Sequence, residues 1–275
     1  MEILDKMREY EIYLVNEEKC KATIEKYMHD VRCFTEYIKK RDITKLEVIE
    51  YKRKLMENYA HTSVNSMLVA LNGFLVFIGR AECRVKLLKI QKQIFANEQK
   101  ELTREEYRRL LRAARDGRIS LIIQTICETG IRVSELQYIT VEAVKDGKVV
   151  VDCKNKTRII FIHNILRKAL LEYIKKARIK AGCVFISREG KPLNRSNIWR
   201  EMKALCKSAN VAQEKVFPHN LRHLFARTFY SIERDIVRLA DILGHSSINT
   251  TRIYTIETGK EHTAFLNRVY RRLVT

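Results

Sequence analysis

The chain has 275 residues and carries 53 Lys and Arg against 33 Asp and Glu, a formal net charge of +20. That length exceeds the commonest domain size of roughly 100–150 residues, so two domains are expected. With 46% apolar and 31% charged residues and only two prolines, a disordered, collagen-like or disulfide-stapled miniprotein is excluded.

No apolar run approaches the ~18 residues of a membrane span. The opening MEILDKMREYE lacks the basic and apolar regions of a signal peptide. Seven scattered cysteines, at positions 20, 33, 83, 127, 153, 183 and 206, include no C-x-x-C pair and none beside a His at zinc-ligand spacing. They read as reduced cytosolic thiols, mostly core filler, with no metal role expected. The charge is uneven: residues 1–100 hold 19 Lys and Arg against 15 Asp and Glu, and residues 101–275 hold 34 against 18. A strongly basic chain of this kind points to a polyanion partner, most simply nucleic acid.

The first hundred residues read as all-helical. Over 21–39, Ile24, Tyr27, Met28, Val31, Phe34 and Ile38 follow a helical period, and over 62–79 Val64, Met67, Leu68, Leu71, Leu75 and Ile78 do the same. His61, Thr62 and Ser63 offer an N-cap before that second run. A weaker helix is expected over 44–58, and the aperiodic stretch from Lys92 to Lys100 reads as a linker.

A new unit opens at Leu102. Thr103 and Glu106 form a capping box for a helix through Ala114. A nearly all-apolar buried helix is expected over 119–128, stopped by Thr129 and Gly130. A short helix should start near Arg132. Two strands, 145–153 and 157–162, form a hairpin turning at Lys154, Asn155 and Lys156. From 164 the pattern is helical again, broken at Gly182, Gly190, Pro192 and Gly244.

Three short words carry chemistry. In Thr129-Gly130-Ile131-Arg132-Val133-Ser134-Glu135-Leu136, Arg132 sits at a helix start, where backbone N–H groups and a guanidinium fork favour a phosphate, and Glu135 lies one turn on. In Phe217-Pro218-His219-Asn220-Leu221-Arg222-His223, the two histidines and the arginine share one helix face. In Leu243-Gly244-His245-Ser246-Ser247, Gly244 ends one helix and Ser247 caps the next, projecting His245 ahead of Tyr254. Each word is weak alone. Their joint occurrence, in this order, is specific.

In these three boxes the sequence resembles the tyrosine recombinases, the superfamily of phage integrases and of Xer- and Cre-like enzymes. TGIRVSEL matches the first arginine box, HNLRH the H-x-x-R box, and LGHSSINTTRIYT the box that runs from histidine to nucleophile. The match covers about 102–275, and the first hundred residues fit the family's core-DNA-binding domain by size and pattern. The resemblance implies a mainly α fold with a small antiparallel β-hairpin: a helical core-DNA-binding domain over 1–98 and a catalytic domain over 99–275 that ends in an interaction helix.

It also assigns Arg132, Arg222, His219, His245 and the nucleophile Tyr254 as catalytic, with Glu135 and His223 in supporting positions. The family's hairpin lysine falls on Lys154 or Lys156. Lys154 is taken as catalytic, in a turn one residue shorter than the family's G-K-G-N-K form. The implied reaction is site-specific cleavage and rejoining of double-stranded DNA through a 3′-phosphotyrosine, with no cofactor and no metal. It serves integration and excision, inversion or resolution, carried out by a homotetramer on two duplexes in the cytoplasm, away from any membrane. The tail residues Phe265, Leu266, Val269, Tyr270 and Leu273 would dock on a neighbouring protomer. Wording near Tyr254 leans toward integrases of mobile elements. The alternatives are a type IB topoisomerase-like cleavage and rejoining of one strand, and a non-catalytic DNA-binding regulator.

Overall fold

A computed structural model describes residues 2–39, 41–90, 98–115, 117–152, 157–187, 189–254 and 259–274. The chain divides into two compact units, Met1–Lys92 and Gln93–Thr275. Among the described residues no helix is long and apolar enough to cross a membrane.

The amino-terminal unit contains helices α1 (Glu2–Asn16), α2 (Lys21–Ile38), α3 (Lys45–Asn58) and α4 (His61–Phe77). The apolar faces read from the sequence meet in its interior: Phe34, Ile38, Val48, Leu55, Val64, Leu68, Leu71 and Leu75 are buried together. Helix α1, which the sequence reading did not single out, closes a second cluster in which Tyr10 packs on Phe74 and Phe77 with ring centroids 5.3 and 5.2 Å apart. Helix α4 already includes the three residues expected to cap it, starting at His61. Ala60 stands at the N-cap with no side-chain bond, so burial rather than capping sets this helix. Beyond α4 the chain runs back along the helix in extended form. Asn72 both donates to the Val85 carbonyl and accepts from its N–H, at 2.9 and 3.0 Å. Asn65 does the same for Leu88, at 2.9 and 2.7 Å. Most of the stretch read as a linker lies outside the described residues.

The second unit is built on α5 (Arg104–Ala114), α6 (Arg118–Thr129), α7 (Val141–Asp146), strands β1 (Lys148–Asp152) and β2 (Thr157–Phe161), and helices α8 (Asn164–Lys176), α9 (Arg195–Ala204), α10 (Cys206–Ala209), α11 (Pro218–Glu233), α12 (Ile236–Leu243), α13 (Ile248–Thr251) and α14 (Gly259–Val274). The expected capping box is present: Thr103 accepts from Glu106 N–H while the Glu106 carboxylate accepts from Thr103 N–H. The apolar helix α6 lies at the centre of the unit's core, with Ile122, Ile123 and Ile126 fully buried.

One local expectation is corrected. Residues 145–147 do not open the first strand. Thr140 caps α7 by accepting from Ala143 N–H, Val141 and Val144 are buried, and Gly147 ends the helix at φ +73°, so β1 starts at Lys148. The short helix expected near Arg132 is present, as a 3₁₀ segment over Val133–Tyr138 with Arg132 as its cap.

The two strands pair antiparallel, Val150 opposite Ile159 and Val151 opposite Arg158. Val149, Val151 and Ile160 point into the core. The turn that joins the strands, with Lys154 and Lys156, lies outside the described residues. On α14, Leu266, Val269, Tyr270 and Leu273 are exposed, while the Phe265 side chain is not among those described.

Candidate active site

Two helices end where the site begins. Helix α6 ends at Gly130, with φ +65°, and α12 ends at Gly244, also with φ +65°. Both positions need a left-handed backbone, and both lie against a side chain. A Cβ on Gly130 would stand 2.5 Å from the Phe225 ring, and one on Gly244 would stand 2.7 Å from the Arg158 guanidinium. The carbonyls left free at these helix ends carry partial negative charge, and cations gather there. Arg222, 2% exposed, donates from Nη1 to Gly130 O at 2.5 Å and from Nη2 to Leu243 O at 2.7 Å. Arg132 donates from Nη2 to Gly244 O at 3.3 Å.

Glu135 ties this cluster down. Its carboxylate accepts from Arg132 N–H and Arg132 Nη1, both at 2.8 Å, and from Arg158 Nη1 and Nη2 at 2.9 and 2.7 Å. Burial alone would push the Glu135 carboxyl up. The bonds from Arg158 and from Arg132 outweigh it and hold the carboxyl below its ordinary value. One carboxylate thus binds two guanidinium groups, and with the Arg222 guanidinium in the same site the pocket is net positive. The Arg132 side chain is 38% exposed, so one edge of the pocket is open.

Helix α11 begins at Pro218, whose missing N–H costs nothing in a first turn. It presents His219, Arg222 and His223 on one face. The His219 and His223 rings meet edge to face at 4.5 Å, and His223 meets the Tyr254 ring at 4.6 Å. On the other side His245 stacks on Tyr254 at 5.9 Å with 15° between planes. Tyr254, in the 3₁₀ turn Arg252–Tyr254, is 3% exposed. Desolvation, then the field of Arg132, lowers the Arg222 guanidinium to about 10, and the nearby Tyr254 side chain offsets part of that fall.

The imidazoles are neutral. Desolvation, then the charges of Arg222, Arg132 and Arg195, hold His219 below its ordinary value. Desolvation, with His219 and Arg227 beside it, takes His223 to about 3. Desolvation, with Arg222, Arg132 and Arg158 beside it, takes His245 to about 4.

Arg132, Glu135, His219, Arg222, His223, His245 and Tyr254 therefore share one site. Lys154 lies outside the described residues. Sequence reading missed Arg158, Arg195 and Thr251, whose hydroxyl oxygen stands 2.9 Å from His245 Nδ1. For Arg158 a signal existed: it occupies the inward-facing phase of β2, shared with Ile160, where an apolar residue is expected. Its Nε is buried with no partner among the described residues.

Residues 100–261 match the phage integrase family, and residues 7–82 match the phage integrase N-terminal SAM-like domain. The chain is 30% identical over 262 residues to the tyrosine recombinase XerD of Halalkalibacterium halodurans, covering 85% of this chain and 86% of that one. It is 30% identical over 266 residues to the tyrosine recombinase XerA of Pyrococcus furiosus, covering 92% and 90%. A lambda integrase dimer bound to a core site shares the fold, with a TM-score of 0.74 and 19% identity over 93% of this chain and 95% of that chain.

Proposed function

The chain belongs to the phage integrase family and is a tyrosine site-specific recombinase, and from that premise we propose that Tyr254 is the nucleophile that joins it to DNA. One observation carries the assignment: the buried Tyr254 ring packs against the rings of His223 and His245, and His245 is itself bonded to the buried Arg222 guanidinium.

Attack by Tyr254 Oη on a backbone phosphorus forms a phosphotyrosine and breaks the bond to O5′. One phosphodiester replaces another, so the step is nearly isoenergetic. The tyrosine proton goes to His219, which is neutral and able to accept it. Charge that develops on the non-bridging oxygens is met by Arg132 and Arg222, which helix-end carbonyls and, for Arg132, Glu135 keep at the site. His245 donates to one of those oxygens. The O5′ alkoxide takes its proton from a hairpin lysine, Lys154 in this assignment. Reversal with the O5′ of a second duplex rejoins the strands.

Double-stranded DNA as the substrate is supported by the relatives' activity and by the basic charge of residues 101–275. A helical core-DNA-binding domain over 1–98 and a catalytic domain over 99–275 would grip that DNA together. Exchange of four strands requires four protomers on two duplexes, with the exposed stripe of α14 as the contact between protomers. The enzyme works in the cytoplasm, as a recombinase of the integrase, resolvase or invertase kind, with the sequence around Tyr254 favouring a mobile element.

The test is covalent capture. Incubated with a nicked DNA site recovered by mapping what the enzyme binds in cells, the wild-type chain should form an adduct stable to denaturation, mapped to Tyr254. Tyr254→Phe should bind the same DNA and form none; an adduct with the Phe variant overturns the assignment.

A further inference from the structure

Arg222 Nη2 stands 3.1 Å from Nε2 of His245, and across the ring Nδ1 stands 2.9 Å from Thr251 Oγ1. A guanidinium has five N–H donors and no lone pair to offer, so Nε2 is the acceptor. A neutral imidazole has one ring proton, and here it must sit on Nδ1, donated to Thr251. Thr251 is fully buried, on a short helix whose first turn is capped by the Ser247 hydroxyl. In this state His245 has no proton to give a phosphate oxygen, although the reaction above asks one of it.

We propose that Thr251 is the positioning residue that lets His245 exchange tautomers: its hydroxyl accepts from Nδ1–H in the DNA-free enzyme and donates to Nδ1 once a phosphodiester has drawn the Arg222 guanidinium toward itself. Nε2–H is then free to bond the non-bridging oxygen. The proton count is conserved. One proton leaves Nδ1 for water, one arrives at Nε2 from water, and the hydroxyl turns about its Cβ–Oγ bond. A hydroxyl combines one donor with two acceptor lone pairs, so it satisfies either tautomer inside a closed site. Valine matches threonine in shape but offers neither. The inference rests on the phosphate lying at Arg132 and Arg222.

The experiment compares single-turnover adduct formation on nicked site DNA by four enzymes: wild type, Thr251→Ser, Thr251→Val and Thr251→Val in a His245→Trp background. An indole has one fixed N–H and no tautomer to exchange. Thr251→Val should slow cleavage about tenfold or more, the usual order for a buried polar group left without its partner, with DNA affinity unchanged and Thr251→Ser near wild type. In the His245→Trp background the same change should add nothing to the rate already set by tryptophan. An equal loss in both backgrounds would make Thr251 a packing residue and overturn the proposal.

If the tryptophan enzyme is inactive, nitrogen-15 NMR of histidine-labelled protein decides. Nδ1 should carry the proton in the free enzyme, and Nε2 should carry it in the complex of Tyr254→Phe with uncleaved DNA. Nε2 protonated in the free enzyme, or no change on binding, overturns the proposal. Absence of any adduct even with the wild type would instead mean that the nucleophile assignment had failed.

Discussion

Among the described residues the amino-terminal unit buries one polar or charged side chain besides its aromatic and apolar ones, Asp30. The second unit buries Glu135 and Arg222 along with Ser120, Thr125, Thr129, Asn220 and Thr251. The first interior is held by hydrophobic burial and tolerates exchange of one apolar residue for another of similar volume. The second holds charge in place, with every member of the cluster needed to satisfy another. Catalysis on a phosphate needs the second kind of interior: donors that are already aimed and already stripped of water.

That contrast is broken most sharply by removing one arginine. Arg222→Ala should cut single-turnover cleavage by about 10²–10³-fold or more, the scale for losing one preorganised donor. It should also lower the melting temperature, because the Gly130 and Leu243 carbonyls lose their partner. Arg132→Ala, at the open edge, should lose a similar factor in rate with a smaller thermal shift. Equal melting losses for the two would deny that burial distinguishes them.

The opposite signature belongs to the apolar unit. Leu71→Ala should cost about 2–5 kcal/mol of stability by cavity formation, read by denaturant unfolding, and leave the cleavage rate of folded, DNA-saturated enzyme unchanged.

A smaller effect follows from the histidines. His223 and His245 have folded pKa values near 3 and 4, below the ordinary 6.5. The unfolded chain therefore binds more protons in between, and stability is present above pH 6.5 and is lost as pH falls toward 4. Denaturant titrations at pH 7.5 and 5 should show the loss in wild type, and a smaller loss in a folded His223→Phe variant.

The gentlest test is salt. If phosphate contacts by the basic second unit hold DNA, the logarithm of the binding constant should fall linearly and steeply with the logarithm of salt concentration. A flat line would mean that the charge excess of residues 101–275 is not what binds.

Legibility in the sequence followed the same division. The helices of the first unit could be read because hydrocarbon burial writes itself as periodicity, as with Val64, Leu68, Leu71 and Leu75. The site could be read where its parts are neighbours along the chain, as in His219, Arg222 and His223. It could not be read where a side chain answers to a partner far along the chain. Arg158 answers to Glu135, to which it is bonded from 23 residues further along the chain, and the charge of Arg195 reaches His219 across a similar stretch of sequence. Thr251 is explained by the ring of His245, which it meets across the turn that Ser247 caps, outside any single helix or strand. The short helix after Arg132 could be read because its signal is local: Glu135, three residues on, accepts from the Arg132 N–H in a capping box.

The paired asparagines of α4 bear on how the protein can be taken apart. Asn65 and Asn72 sit two helical turns apart and give the returning segment a substitute for a neighbouring strand's peptide groups, at Leu88 and Val85. The natural edge of the amino-terminal unit is therefore past Leu88 and not at the end of α4. A fragment cut at residue 78 would leave both amides facing bare apolar surface and would be prone to aggregate. One cut at residue 90 keeps its own selvedge, and is the piece to express when the grip of the first unit on DNA is to be measured by itself.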